Sequence, residues 1–270
     1  MKENDNINSS NSDKESLDKL NEVIEETKTE LNENPDGIVM FTPLIGWLAF
    51  FLVMGLMLIS TLIMGFLAYP LAEQDISNGG QSKLLVFLSL LITDIIIFSV
   101  IYGLIKTLRL HYKKVLGLKL IKEVKIYILA ILGILVLNVL LTMLWSLISQ
   151  IDPSIVKEYE DMTTSHFMAK SVSEFILLVI FVSIGAGILE EALFRGIILN
   201  SFLKSYPPVL AIVLSSLLFG VMHMNIVQGI SGFVLGLYLA ILTYKTKSIY
   251  PAMAAHISNN LFSLILAHTL

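Results

Sequence analysis

The sequence predicts an all-α polytopic membrane protein with seven or eight transmembrane helices and an acidic cytoplasmic tail at the N-terminus. Of its 270 residues, 55% are hydrophobic and only 15% are charged, and the mean hydropathy is +0.78. Ordinary soluble domains are about 45–50% apolar and about 25% charged. The composition therefore excludes a water-soluble globular enzyme. The absence of cysteine excludes a disulfide framework and a thiol nucleophile.

Residues 1–37 differ in composition from the rest of the chain, with four lysines against eleven acidic residues. They lack the basic segment and apolar core of a signal peptide. We expect an acidic, disordered tail. The spacing of Leu17, Leu20, Ile24 and Leu31 also permits a short helix or a coiled-coil contact. Because the tail has no basic patch, we do not expect nucleic-acid binding.

Seven apolar stretches follow the tail, each close to the ~20 residues that cross a bilayer as a helix. The first three are separated by longer connections, whereas the last four follow one another closely. No internal repeat is visible, which argues against a transporter built from inverted halves. The predicted spans are 44–69, 84–105, 126–148, 175–199, 208–225, 227–244 and 249–267.

Basic residues predict how these spans are oriented in the cell membrane, because lysine and arginine accumulate on the cytoplasmic side. The 106–125 connection has seven basic residues and one acid, so we place it in the cytoplasm. The 149–174 connection has two lysines and five acids, which fits the outer side. With seven spans, the N-terminus is then cytoplasmic and the C-terminus lies outside. The basic residues predicted to be cytoplasmic are Lys106, Arg109, Lys113, Lys114, Lys119, Lys122, Lys125, Lys204, Lys245 and Lys247.

Polar and ionisable side chains inside the predicted spans are the candidate functional residues. A charged group in hydrocarbon is costly, so it normally faces a partner or a cavity. Asp94 in the second span is interpreted as a polar contact between helices, with catalysis as the alternative. The stronger set comes from the fourth, fifth and seventh spans, and convergence on one internal site explains it most simply. This set is Glu190, Glu191, Arg195, His223, His256 and Asn260.

The spacing of the acidic pair suggests different roles for its members. Glu191 and Arg195 are four residues apart and share a helix face, so they are expected to form an ion pair. Glu190 points about 100° away from Glu191 and is left to accept a proton as a general base. A purely structural Glu191–Arg195 pair with an incidental Glu190 is the alternative.

Two further motifs place polar groups on neighbouring spans. Phe219 and His223 are four residues apart on the fifth span, as are His256 and Asn260 on the seventh. A single histidine in a membrane helix usually has only a structural hydrogen bond, but a pair beside two carboxylates favours a site. At 1.5 Å per residue, Glu190 and His256 lie roughly 10–13 Å from the cytoplasmic ends of their helices. The site is therefore expected to open toward the cytosolic half.

The three motifs, in this order on successive helices, resemble those of the CPBP intramembrane proteases. This group contains the CAAX proteases and bacteriocin-processing proteins and is also called Abi. The resemblance covers residues 175–265, so we divide the chain into N-terminal transmembrane helices with their loops (38–174) and a catalytic helical core (175–270). It implies an endopeptidase that cuts a membrane-associated peptide or protein, such as a prenylated, leader or signalling peptide. It also implies that Glu190 activates water, that Glu191 and Arg195 support it, and that the site is completed by His223, His256 and Asn260.

The residues alone leave the mechanism and two other functions open. In one mechanism, His223 and His256, with a carboxylate, hold Zn²⁺ as in a metalloprotease. In the other, Glu190 and one histidine activate water while Asn260 and the other histidine stabilise the oxyanion. The other functions are a proton- or ion-coupled transporter and a non-catalytic scaffold or immunity protein. The expected partners are the lipid bilayer and a peptide substrate, and no pattern specifies an oligomeric state.

Overall fold

The computed structural model describes residues 42–77 and 83–269, and the predicted tail 1–37 lies outside these residues. In the described ranges the chain is helical and has no strand, which confirms the predicted all-helical fold class. Each of the seven predicted spans is a helix, so their existence was predictable from apolar length. The helices are α1 Pro43–Ser77, α2 Lys83–Thr107, α3 Tyr112–Val115, α4 Val124–Ile151, α5 Ser154–Phe167, α6 Val172–Phe202, α7 Pro208–Met222, α8 Ile226–Thr246 and α9 Tyr250–Thr269.

Within the described ranges, five helices are long and apolar enough to cross a membrane: α1, α2, α4, α6 and α8. Helix α7 has 15 residues and reaches about 22 Å, less than the ~30 Å hydrocarbon core. Helix α9 has 20 residues, but polar side chains such as His256 and Asn260 lower its apolar character. The chain is thus a multi-pass membrane protein. The count of seven or eight spans stays a prediction.

The helix boundaries follow local capping chemistry that the apolar pattern does not contain. The predicted fourth span begins at 175, but α6 begins at Val172 because the Ser171 hydroxyl caps it by accepting from the Glu174 N–H. The side chain of Asn225 caps α8 in the same way. The 149–174 connection contains α5, which the sequence analysis did not predict. Its charged residues interrupt the apolar run, yet Val156 is buried against the bundle.

The centre of the structure is the second half of α6, where every residue from Glu191 to Leu199 is buried. Helices α1, α2 and α7 contribute side chains to the same apolar cluster. Helix α9 packs against α4, α6 and α8, and α7 and α8 form a hairpin. Large apolar side chains on α1, α2 and α4 point outward, as expected for helices in contact with lipid.

Three connections meet at one end of the bundle. The Asn200 side chain near the end of α6 donates to the Val115 carbonyl at 2.9 Å. The Ile249 N–H donates to the Gly117 carbonyl at 3.2 Å, and the Ser248 hydroxyl bonds to the Lys119 carbonyl. The basic 106–125 connection therefore lies beside the α6 terminus and the α8–α9 turn. Placement of this end in the cytoplasm stays a prediction.

Candidate active site

Helix α6 carries the acidic pair on a short α-helical segment with π-helical turns on both sides. The α-helical segment is Ala186–Glu191, and it lies between the π-helical segments Val179–Gly185 and Ala192–Leu199. A π-helical turn adds a residue to the hydrogen-bonded ring, and such turns occur frequently at functional sites. The sequence analysis assumed 3.6 residues per turn along the whole helix. The π-helical turns therefore change how the faces of α6 are aligned on either side of the acidic pair.

Glu191 and Arg195 form an ion pair in the protein interior. Arg195 Nη1 donates to Glu191 Oε1 at 2.9 Å, and both side chains are almost completely buried. Arg195 Nη2 also donates to the Gly236 carbonyl of α8 at 3.1 Å. Because Arg195 stays protonated in proteins, Glu191 is held as a carboxylate beside it. The pair joins α6 to α8 and places a carboxylate beside His256.

His256 of α9 lies against both members of the acidic pair. Its Nδ1 is 2.9 Å from Glu191 Oε1, and its Nε2 is 3.8 Å from Glu190 Oε2. The histidine is buried, whereas the Glu190 side chain is 14% exposed. The separation of Nδ1 and Glu191 Oε1 is that of a hydrogen bond, whereas Nε2 and Glu190 Oε2 are too far apart to form one. Glu190 is thus the carboxylate of this group that keeps access to an incoming molecule.

His223 occupies the turn between α7 and α8. Its Nδ1 is 2.8 Å from the Phe219 carbonyl. The backbone reverses at the next residue, Met224, whose φ of +50° is in the left-handed region, before Asn225 caps α8. A Cβ atom at Gly232 of α8 would lie 3.4 Å from the His223 ring, so the small residue allows α8 to pass close by.

Phe219 connects the groups of this site, although the sequence analysis named it only as part of a motif. Its ring packs edge-on against His223 and His256, at centroid distances of 5.1 and 5.6 Å. The guanidinium carbon of Arg195 lies 4.6 Å from the same ring centroid, as in a cation–π contact. The four-residue spacing from His223 was the available signal for this role.

Asn260 faces α6 from the next turn of α9. Its Nδ2 donates to the Val182 carbonyl at 2.9 Å, and its Oδ1 accepts from Asn259 Nδ2 at 3.2 Å. Asn259 in turn accepts a hydrogen bond from Asn138 of α4. The sequence analysis missed Asn138 and Asn259. The only sign of Asn138 in the sequence was that it is a lone amide in the apolar 126–148 stretch.

Asp94 of α2 also approaches α6. A Cβ atom at Gly185 would lie 2.6 Å from Asp94 Oδ2, so the carboxylate rests against the turn that precedes the acidic pair. The geometry agrees with the interpretation as a polar contact between helices. No hydrogen bond or ion pair from Asp94 to the six candidate residues is present in the described part of the chain.

The His, Asp and Glu side chains of the candidate site do not meet the requirements of a catalytic zinc site. No group of three His, Asp or Glu side chains in residues 42–77 and 83–269 is arranged to hold a metal ion. Glu191 Oε1 already accepts from Arg195 and His256, and His223 Nδ1 faces a carbonyl. An open zinc site needs three protein donors on one ion. The arrangement of these side chains therefore does not fit a catalytic zinc ion.

Helices α6 and α9 approach each other closely beside the acidic pair. A Cβ atom at Gly187 would lie 3.1 and 3.2 Å from the backbone N and Cα of Ile257. The Ser183 hydroxyl donates to the Ile257 carbonyl at 2.8 Å. Small residues at such contacts let helices pack backbone to backbone. Gly187 thereby sets the separation between the acidic pair and His256.

We expect Gly187→Ala to destabilise the protein by about 1–3 kcal/mol, because the added methyl group meets backbone that cannot move aside. Thermal unfolding in detergent measures the change. Gly103→Ala on α2 is the matched control, because a Cβ there meets no atom within 4 Å. Helix propensity predicts an unchanged or slightly higher midpoint for the control. Equal midpoints for both variants would contradict the close approach.

The fold and these contacts define a multi-pass membrane protein with a polar site between α6, α7 and α9. Residues 172–262, which span α6 to most of α9, match the family model described as Type II CAAX prenyl endopeptidase Rce1-like. The resemblance to the CPBP and CAAX proteases is thus confirmed over this segment. The match supports a membrane endopeptidase activity of this general kind. No curated protein and no solved structure gave a significant match.

Proposed function

We propose that the protein is an intramembrane endopeptidase that hydrolyses a peptide bond with water activated by Glu190. The observation that carries the proposal is the position of His256. Its ring is hydrogen-bonded to the carboxylate of Glu191 and faces the carboxylate of Glu190, inside an apolar bundle. A buried acid, a second acid fixed by arginine and an imidazole between them are the groups that acid–base catalysis requires.

The hydrogen bonds of His256 suit it to stabilise negative charge. Glu191 is a carboxylate and only accepts, so Nδ1 carries the proton. We propose that His256 takes part as an imidazolium that keeps both ring protons throughout, with its positive charge stabilised by the carboxylate of Glu191. In that form Nε2–H donates, and it is directed to the side of Glu190. We therefore propose that His256 donates a hydrogen bond to the oxyanion.

His223 also directs Nδ1 to an acceptor, but this acceptor is an uncharged backbone carbonyl. The Phe219 carbonyl can only accept, so His223 Nδ1 carries the proton of the neutral ring and Nε2 presents a lone pair. A ring in this state accepts a hydrogen bond from water. We assign it to the water beside Glu190.

Asn260 supplies a second donor for the oxyanion. One hydrogen of its amide group bonds to the Val182 carbonyl, and the other is available to a ligand. Asn260 lies one turn from His256 on the same face of α9, so both donors point to the same side. Preorganised donors of this kind stabilise the charge that develops on a tetrahedral intermediate.

The reaction then proceeds with each proton accounted for. Glu190 takes a proton from the water, and the water oxygen bonds to the carbonyl carbon of the peptide. The carbonyl oxygen becomes negative and accepts from the Nε2–H of the His256 imidazolium and from the Asn260 amide, and both donors keep their protons. The C–N bond breaks when the proton held by Glu190 passes to the leaving nitrogen. The products are an amine and a carboxylic acid, which loses its proton to solvent, and Glu190 returns to its starting state.

The proposed substrate is a peptide held at the membrane, and the matched family's description makes a prenylated CAAX-type C-terminus the first choice. Leader and signalling peptides are the other choices. We propose that the site opens toward the cytosolic half, because the basic connection lies at the end of α6 that follows Arg195. The N-terminus would then be cytoplasmic.

Cleavage by the protein reconstituted in lipid nanodiscs tests this function. The probes are a synthetic peptide with a farnesylated CAAX-type C-terminus and the same peptide without the farnesyl group. Mass spectrometry of the products identifies the bond cut. We expect the wild type to release a C-terminal fragment from the farnesylated peptide. No cleavage of either peptide would favour the scaffold, and proton flux into liposomes without cleavage would favour the transporter.

Metal removal separates the two mechanisms. We expect turnover after dialysis against EDTA to stay within about twofold of the untreated protein, because the proposed steps use only side chains and water. The same assay with the farnesylated peptide measures this. Loss of turnover on dialysis, followed by recovery when Zn²⁺ is added back, would overturn the metal-free assignment.

A further inference from the structure

A chain of amide hydrogen bonds runs from α4 to the candidate active site. Asn138 Nδ2 donates to Asn259 Oδ1 at 2.8 Å, and Asn259 Nδ2 donates to Asn260 Oδ1 at 3.2 Å. Asn260 Nδ2 then donates to the Val182 carbonyl at 2.9 Å. We call these three asparagines the amide relay. It begins on a helix that lies outside the segment 172–262 matched by the family model.

The relay has a defined direction. The Val182 carbonyl can only accept, so Asn260 must turn its amide nitrogen toward α6 and its oxygen toward Asn259. Asn259 must then present its nitrogen to Asn260 and its oxygen to α4. Asn138 provides the donor that satisfies this oxygen. Each amide is thus held in one of its two possible orientations by the next.

The free-energy cost of placing an asparagine in a membrane helix indicates that the amide relay does more than pack helices together. Asn138 lies near the middle of α4, where apolar neighbours face lipid and polar residues are disfavoured. Asn259 is 6% exposed, so without Asn138 its oxygen would lose a buried partner. An interhelical contact alone could be made by apolar side chains, as at Ala130 and Ala255 in the cluster shared by α4 and α9.

We propose that Asn138 is a positioning residue of the active site. Through Asn259 it holds the Asn260 amide with the nitrogen toward α6 and its second N–H toward the substrate. Helix α4, which precedes the segment matched by the family model, therefore contributes to the site, although Asn138 does not touch the reacting atoms. This inference rests on the proposed function, in which Asn260 stabilises the oxyanion.

Asn138→Leu tests the proposal, because leucine has the same branched side-chain shape and cannot donate. With the farnesylated peptide we expect kcat to fall about tenfold while KM stays within about twofold, since substrate binding is retained and only oxyanion stabilisation is weakened. Thr142→Val is the matched control one turn further along α4. Its hydroxyl bonds to the Asn138 carbonyl of the same helix, so we expect unchanged kinetics.

The Asn260→Ala background separates positioning from structure. If Asn138 acts through Asn260, then Asn138→Leu should lower kcat by less than twofold once Asn260 is already alanine. A further tenfold loss in that background would show a general structural effect and overturn the proposal. Unchanged kcat in the single Asn138→Leu variant would also overturn it.

The controls distinguish failure of this inference from failure of the proposed function. Full activity of Asn260→Ala, or a wild type that cleaves neither peptide, would remove the oxyanion role and the relay with it. A large loss in Asn260→Ala beside a normal Asn138→Leu would remove only the relay. If the Asn138→Leu protein does not purify as a single species, Asn259→Leu breaks the relay one link nearer and is judged by the same criteria.

Discussion

Replacing Glu190 by glutamine is expected to lower kcat for the farnesylated peptide by about 10³-fold, with KM changed by less than about threefold. Glutamine keeps the size and polarity of the side chain but cannot take a proton from water, and a positioned general base contributes roughly 10²–10⁴-fold. The contacts of Glu191 with Arg195 and His256 do not involve Glu190, so the fold should be preserved. Initial rates by mass spectrometry measure the loss.

The matched control for this variant is Glu160→Gln on α5. It makes the same chemical change at an exposed carboxylate that does not belong to α6, α7 or α9, so kcat should stay within about twofold of the wild type. Thermal unfolding of both variants checks that they are folded. If Glu190→Gln retained wild-type kcat while cleavage was unaffected by the control, Glu190 would not be the base.

Replacing Arg195 by methionine is expected to give the largest loss of stability, roughly 3–5 kcal/mol. Methionine fills a similar volume, but Glu191 is then a buried carboxylate without its cation. The Gly236 carbonyl of α8 loses its donor in the same substitution. The midpoint of thermal unfolding in detergent measures this loss. We also expect cleavage to be abolished, because Glu191 no longer holds His256 in place.

The double variant Glu191→Gln with Arg195→Met identifies the cause of that instability. Removing both charges leaves no buried ion, so we expect about half or more of the lost stability to return. Cleavage should stay lost, because His256 then has no carboxylate on Nδ1. A double variant that is even less stable than Arg195→Met would show that side-chain shape, and not the unpaired charge, governs this position.

The candidate site could be predicted from the sequence where hydrocarbon makes polarity expensive. Glu190, Glu191 and His256 stand out because an apolar bundle accepts such groups only when they meet one another. The four-residue spacing of Glu191 and Arg195 likewise predicted their ion pair. The helices themselves could be predicted from the lengths of the apolar stretches, which depend on composition and not on the contacts of single side chains.

Other features could not be predicted because they depend on tertiary contacts. The π-helical turns of α6 lie within an apolar run whose residue spacing gives no sign of them. The link between Asn138 and Asn259 joins residues 121 positions apart. Phe219 acquires its role only when three polar side chains pack on one ring. Five of the seven predicted spans reach the length and hydropathy of a membrane-spanning helix in the described ranges, because the usable length depends on where each helix ends, as the 15 residues of α7 illustrate.

The most direct test of the whole account is the kcat of the double variant Glu190→Gln with His256→Ala. Residues that act as one catalytic unit lose activity non-additively, so removing the second costs little once the first is gone. We predict that the double variant is within about threefold of the slower single variant. Losses that multiply would mean that the acid of α6 and the imidazole of α9 act separately, which would contradict a single site formed between them.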